Sequence, residues 1–130
     1  MKIFNTKDAM SALWELVAPI SDKIPVYREI MDEDKNSVPK SYLLIREGIT
    51  DSPRIYGDGA VKKRLNSATL ILISSSTGSR SDDIHNTNRA IIKDLLDKEE
   101  VAYTGYNLGY NETLKQSEYS WSVSFIYGTQ

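Results

Sequence analysis

Apolar residues first fall into a helical pattern near the start of the chain. Met10, Leu13, Trp14 and Val17 recur at i, i+3, i+4 and i+7, which predicts a helix over 7–18 with one buried face. Asn5 or Thr6 is placed to cap it, Asp8 suits its positive end, and Pro19 stops it. Ile24-Pro25-Val26-Tyr27 reads as a short strand, and its proline assigns it to an edge or a strand start. A second strand covers 41–47, with Tyr42, Leu43, Leu44 and Ile45 apolar on both sides. The third, 68–74, is the most hydrophobic stretch: Leu70 and Leu72 point one way, Thr69, Ile71 and Ile73 the other, as in a central strand.

Between these two strands lies a segment, 48–65, that contains Pro53, Gly57 and Gly59. It reads as one long connection, mobile in the free subunit and ordered on assembly, since loops of that length are commonly functional. A Ser/Gly loop, 74–80, leads into a second helix over 81–98, whose buried stripe is Ile84, Ile91, Ile92, Leu95 and Leu96, interrupted by Asn88. Two strands close the chain, 102–110 and 119–127. In the last, Tyr119, Trp121, Val123, Phe125 and Tyr127 alternate with Ser120, Ser122 and Ser124, which predicts aromatics beneath the helices and serines outward. The order α-β-β-β-α-β-β predicts a single α+β domain over 1–130. Its sheet is mostly antiparallel, of about five strands, with both helices on one face.

Composition narrows the chemistry. With no cysteine and one histidine, thiol catalysis, iron–sulfur clusters and multi-histidine metal sites are excluded, and no metal or organic cofactor is expected. The formal net charge of −2 argues against a chain that mainly grips nucleic acid or an anionic membrane. Charge is uneven, with a net of +1 over 1–65 and −3 over 66–130, which suggests two differently charged surfaces. No run approaches the roughly 18 apolar residues of a membrane span, and 1–10 has no apolar signal-peptide core, so no export is expected. Asn111-Glu112-Thr113 matches a glycosylation sequon, which carries little meaning without export.

Candidate chemistry is thin. The 74–80 loop, with Ser74, Ser76 and Arg80, precedes a helix start as in anion sites, but it lacks the spaced glycines and lysine of a P-loop. Asp82 and Asp83 also occupy the place of a phosphate. His85 with one of these acids and a serine has no nucleophile-elbow context and reads as a surface histidine. Lys62-Lys63-Arg64, in the long loop with Arg54, is the one basic cluster, fit for an acidic neighbour or passing nucleic acid. Tyrosines 103, 106 and 110 join the final strand's aromatics in a surplus that suits a protein interface as well as a core.

The succession of an N-terminal helix, Ile24-Pro25-Val26-Tyr27, Tyr42-Leu43-Leu44-Ile45, a long loop with Tyr56-Gly57-Asp58, Leu70-Ile71-Leu72-Ile73, a helix ending near Leu95-Leu96 and an aromatic last strand resembles the tail terminator, or head–tail joining, proteins of long-tailed bacteriophages. The resemblance spans nearly the whole chain as an order of elements with short, degenerate motifs. It implies a non-enzymatic tail-completion protein of the virion neck, assembled in the host cytoplasm. Such a protein forms a ring, commonly hexameric, that caps the tail tube and docks to the head's connector or head-completion protein. No membrane is involved, and nucleic acid enters only as DNA passing through the ring. A ring requires heterologous contacts, for which Arg54, Tyr56, Asp58, Lys62, Lys63 and Arg64 of the long loop are the expected interface. Another small virion component, such as a tail-tube or head-completion protein, and a phosphate-ligand domain using the Ser74 to Arg80 loop are the alternatives.

Overall fold

The computed structural model describes residues 2–28, 39–48, 51–55, 61–75 and 79–129. The first helix, α1 (Ala9–Val17), begins two residues later than the periodicity predicts. Its cap is Asp8, whose carboxylate accepts the Ser11 amide hydrogen at 2.7 Å, in place of Asn5 or Thr6. Pro19 falls in the 3-10 turn Ala18–Ile20 that ends it. The buried face runs through Ala9, Ala12, Leu13, Leu16 and Val17, so Trp14 of the expected stripe is left outside, 41% exposed.

The sheet corrects the expected fold. It has seven strands rather than about five: β1 (Ile3–Phe4), β2 (Val26–Arg28), β3 (Ser41–Arg46), β4 (Asp51–Ile55), β5 (Val61–Ser75), β6 (Ala102–Asn111) and β7 (Gln116–Tyr127). The second helix, α2 (Ser79–Lys98), lies between β5 and β6 in the chain. The strand order is β1-β7-β5-β3-β2, with β4 added on β5 and β6 on β7. The sheet is also mixed: β1 pairs with β7 and β2 with β3 in parallel, while the remaining ladders are antiparallel. Residues 29–40 separate β2 from β3, about the dozen that a parallel crossover requires.

The expected 48–65 loop is largely a ladder. Asp51 pairs with Asn66, Pro53 with Arg64 and Arg54 with Lys63, so β4 and the first half of β5 form antiparallel strands in place of one mobile connection. Charge and Pro53 hide these strands from hydrophobic patterning because β4 lies at an edge, where both are tolerated. β1 is too short, at two residues, to leave a periodic signal.

Fifteen-residue β5 is the spine. Leu70 faces Ile45 on one side and Trp121 on the other, and Leu72 faces Leu43 and Tyr119. Leu70, Leu72, Leu43, Ile45, Val123 and Phe125 are fully buried with Leu13 and Val17 of α1 and Ile92 and Leu96 of α2 in one core. Each such side chain contributes roughly 1.5–3 kcal/mol by leaving water. The alternation in β7 sends Trp121, Val123 and Phe125 to this core, while Ser122 is exposed.

The start of α2 departs from the expected burial pattern. Ile84 is 46% exposed, and His85, read as a surface residue, is buried at 6%. Its Nδ1 lies 2.7 Å from Ser74 Oγ, which lies 2.9 Å from Ser41 Oγ. Asn88 donates to Ser41 Oγ at 2.8 Å. His85 and Asn88 of α2 are therefore tied to β5 and β3 respectively by hydrogen bonds.

Candidate interaction surface

Strand register places the expected assembly residues only in part. Tyr56 and Asp58 lie outside the described residues. Arg54 sits on β4 opposite Lys63 on β5, and Arg64 sits opposite Pro53 and Tyr127. Lys62 is on β5, next to them in the chain. Lys63 donates to the Gly128 carbonyl at 3.0 Å, whereas Arg64 is exposed. Being consecutive on a strand, these two face opposite sides of the sheet, so they do not form one basic patch.

The serine segment is likewise divided. Ser74 and Ser75 complete β5, Ser76 lies outside the described residues, and Arg80 belongs to α2. The Ser74 hydroxyl turns inward to Ser41 and His85 and is 2% exposed, unavailable to a ligand in solvent.

Exposed apolar surface concentrates on the β6–β7 hairpin instead. Of seven large hydrophobic side chains exposed among the described residues, four lie on it: Tyr106, Leu108, Tyr110 and Leu114, each at least half exposed. Leu108 breaks the β6 alternation at a bulge between Asn107 and Gly109. Asn107 Oδ1 there accepts the Gly109 amide hydrogen at 2.9 Å, and Gly109 takes a φ of 78° that favours glycine. Tyrosine enrichment pointed to this region, while Leu108 stayed hidden because a bulge leaves no periodic trace and Leu114 because it lies in the turn between β6 and β7.

Behind the hairpin, α2 and β7 enclose an open cleft of about 320 Å³ lined by Asn86, Arg89, Ala90, Lys93, Tyr119 and Trp121. The helix residues recur at i, i+3, i+4 and i+7, a stripe flanking the core-facing one. The Arg89 guanidinium lies 4.0 Å from the centroid of the Tyr119 ring, which rests against Trp121 at 4.6 Å. Lys93 donates to Asp97 at 3.0 Å, and the Tyr103 hydroxyl donates to the same carboxylate. Those two donors, the tyrosine first, hold Asp97 below the ordinary carboxylate range. On the opposite face of the sheet, Tyr42 meets Tyr27 edge-on at 5.9 Å. Burial, with Glu118 and Tyr27 nearby, raises its phenol pKa.

Among the described residues no group of three or more His, Asp or Glu is placed to hold a metal ion, and no helix is long and apolar enough to cross a membrane. The chain matches no protein-family model and no curated protein sequence.

Proposed function

We propose that this chain is a structural subunit of a phage virion of the tail terminator kind. In this reading copies form a ring, expected to be hexameric, that caps the tail tube and presents a surface to the head connector or head-completion protein. The observation that carries the reading is the β6–β7 hairpin, which holds four large exposed apolar side chains. Tyr106, opposite Ser120, and Tyr110, opposite Ser117, project from the two faces of the hairpin, and exposed apolar side chains grouped on one element in this way suit a surface that another protein covers. The order of elements supports it through the resemblance given above. The role is non-enzymatic: the Ser74–His85 pair, which has the residue types of a nucleophile and its base, keeps its hydroxyl 2% exposed. The Arg54, Lys62, Lys63 and Arg64 strands are a second contact region in this reading, and DNA meets the protein only in passing through the ring.

Electron microscopy of purified protein mixed with tail tubes tests the proposal. Rings seated on tube ends are the expected result. A Tyr106→Ser/Leu108→Ser/Tyr110→Ser variant should keep its circular dichroism spectrum and lose the caps. Bare tube ends with a well-folded wild-type protein would overturn the proposal.

A further inference from the structure

The edges of this sheet are protected unequally. β2 is three residues long and ends in Arg28, which pairs with Glu47 at 3.6 Å; β4 carries Asp51, Pro53 and Arg54. Short length, charge and proline are the usual guards of an edge strand. β6 has none of them. It runs for ten residues, Ala102–Asn111, without a charge or a proline, and among the described strands pairs only with β7. Tyr119, which lines the cleft under α2, reaches over β6 at Gly105.

That cleft is chemically one-sided. Its lining holds two cations, Arg89 and Lys93, and no carboxylate. Lys93 is taken by Asp97. No carboxylate pairs with Arg89 among the described residues, and its guanidinium carbon lies 4.0 Å from the Tyr119 ring centroid, a contact that uses none of its N–H donors in a hydrogen bond. Gly105 has no side chain to screen the site, and the Tyr119 hydroxyl stands where its Cβ would be. Ala90, at the middle of the helix stripe, keeps the cleft open between Asn86 and Lys93.

We infer that β6 and α2 form a strand-addition groove that takes an extended, acidic segment of a partner protein. Its backbone adds to the β6 edge over 102–107, before the bulge, and one carboxylate is seated on the Arg89 guanidinium and the Tyr119 hydroxyl. A strand added to an exposed sheet edge gains affinity from main-chain hydrogen bonds and selectivity from alternate side chains. The side chain entering beside Gly105 is the one that meets Arg89. This inference does not depend on the role proposed above, since it rests on edge composition and charge alone.

The test uses the whole chain, labelled for NMR, and the probe acetyl-Ser-Val-Thr-Glu-Thr-Val-Ser-amide. Binding should shift the 102–107 amides and slow exchange of those pointing away from β7. Replacing the probe's Glu by Lys, or changing Arg89→Gln in the protein, should weaken binding about tenfold or more, as for a lost charged hydrogen bond. Replacing the probe's threonines by proline, which removes backbone donors, should abolish it. Shifts confined to β2 or β4, equal binding of the Lys probe, no binding at millimolar probe, or β6 protection that rises only with protein concentration would each overturn the inference. The last result would assign the edge to a second copy.

Discussion

The Tyr119 ring occupies the space where a side chain at Gly105 would stand: a Cβ there meets the tyrosine oxygen at 2.4 Å and ring carbons at 3.0 and 3.1 Å. Position 105 is glycine for steric reasons, because its φ is not in the left-handed region. Alanine on such a strand would ordinarily cost nothing in backbone conformation. Here Gly105→Ala must displace the hydroxyl end of the Tyr119 ring, and we expect a loss of about 1 kcal/mol in urea denaturation. Tyr119→Phe in the same chain removes the nearest atom and should recover part of that loss, a non-additivity that a double-mutant cycle reads directly.

Gly48 is more constrained. A Cβ there would lie 2.0 Å from the Ser67 carbonyl oxygen, a backbone atom that cannot swing aside. The glycine is also clasped by Asn66, whose Oδ1 accepts its amide hydrogen at 2.8 Å and whose Nδ2 donates to its carbonyl at 3.2 Å. Gly48→Ala should therefore lower stability by about 2–3 kcal/mol. A lowered denaturation midpoint with an unchanged slope would be the signature. A midpoint equal to wild type would show that the β3–β5 approach is looser than described.

Removing the hydroxyl shared by Ser41 and His85 isolates the polar tie beneath α2. Ser74→Ala leaves the His85 Nδ1 and the Ser41 hydroxyl without that partner in a buried setting. The expected cost is about 1–3 kcal/mol. Hydrogen exchange should rise first in the early turns of α2, since its later turns keep Ile92, Leu95 and Leu96 in the core. Uniform destabilisation of both halves would contradict a local role.

These cases show where the sequence was readable. The β7 alternation and the Leu70–Leu72 strand were legible because one face of each meets a continuous apolar core, so parity was enforced residue by residue. β4 was not, because its partner half of β5, with Lys63 and Arg64, extends beyond that core. His85 misled because a buried histidine announces itself through Ser41 and Ser74, which are 44 and 11 positions away in the chain. Of the expected interface, Arg54 and Lys63 are brought opposite one another, yet the aromatic hairpin offers the larger apolar surface. Arg89 left no trace, since its partner ring lies 30 residues downstream.

The cap of α1 gives a dependence on pH. Asp8 accepts the Ser11 amide hydrogen at 2.7 Å, and that backbone bond, followed by the Ser11 side chain, lowers its pKa below the ordinary carboxylate range. A group whose pKa is depressed by folding stabilises the native state above its unfolded pKa. That contribution fades as pH falls through the depressed folded value. Asp8→Ala should therefore melt lower than wild type at neutral pH, and the gap should narrow steadily in acid below the carboxylate range. Asp8→Asn, which still offers an oxygen to the Ser11 amide, should keep much of the cap while losing the pH dependence. Thermal melts of the three proteins from neutral pH to pH about 2 separate these outcomes, because the native contribution is lost only below both carboxylate pKa values. A wild-type-to-alanine gap that stayed constant across that range would show that Ala9–Val17 draws nothing from the Asp8 charge.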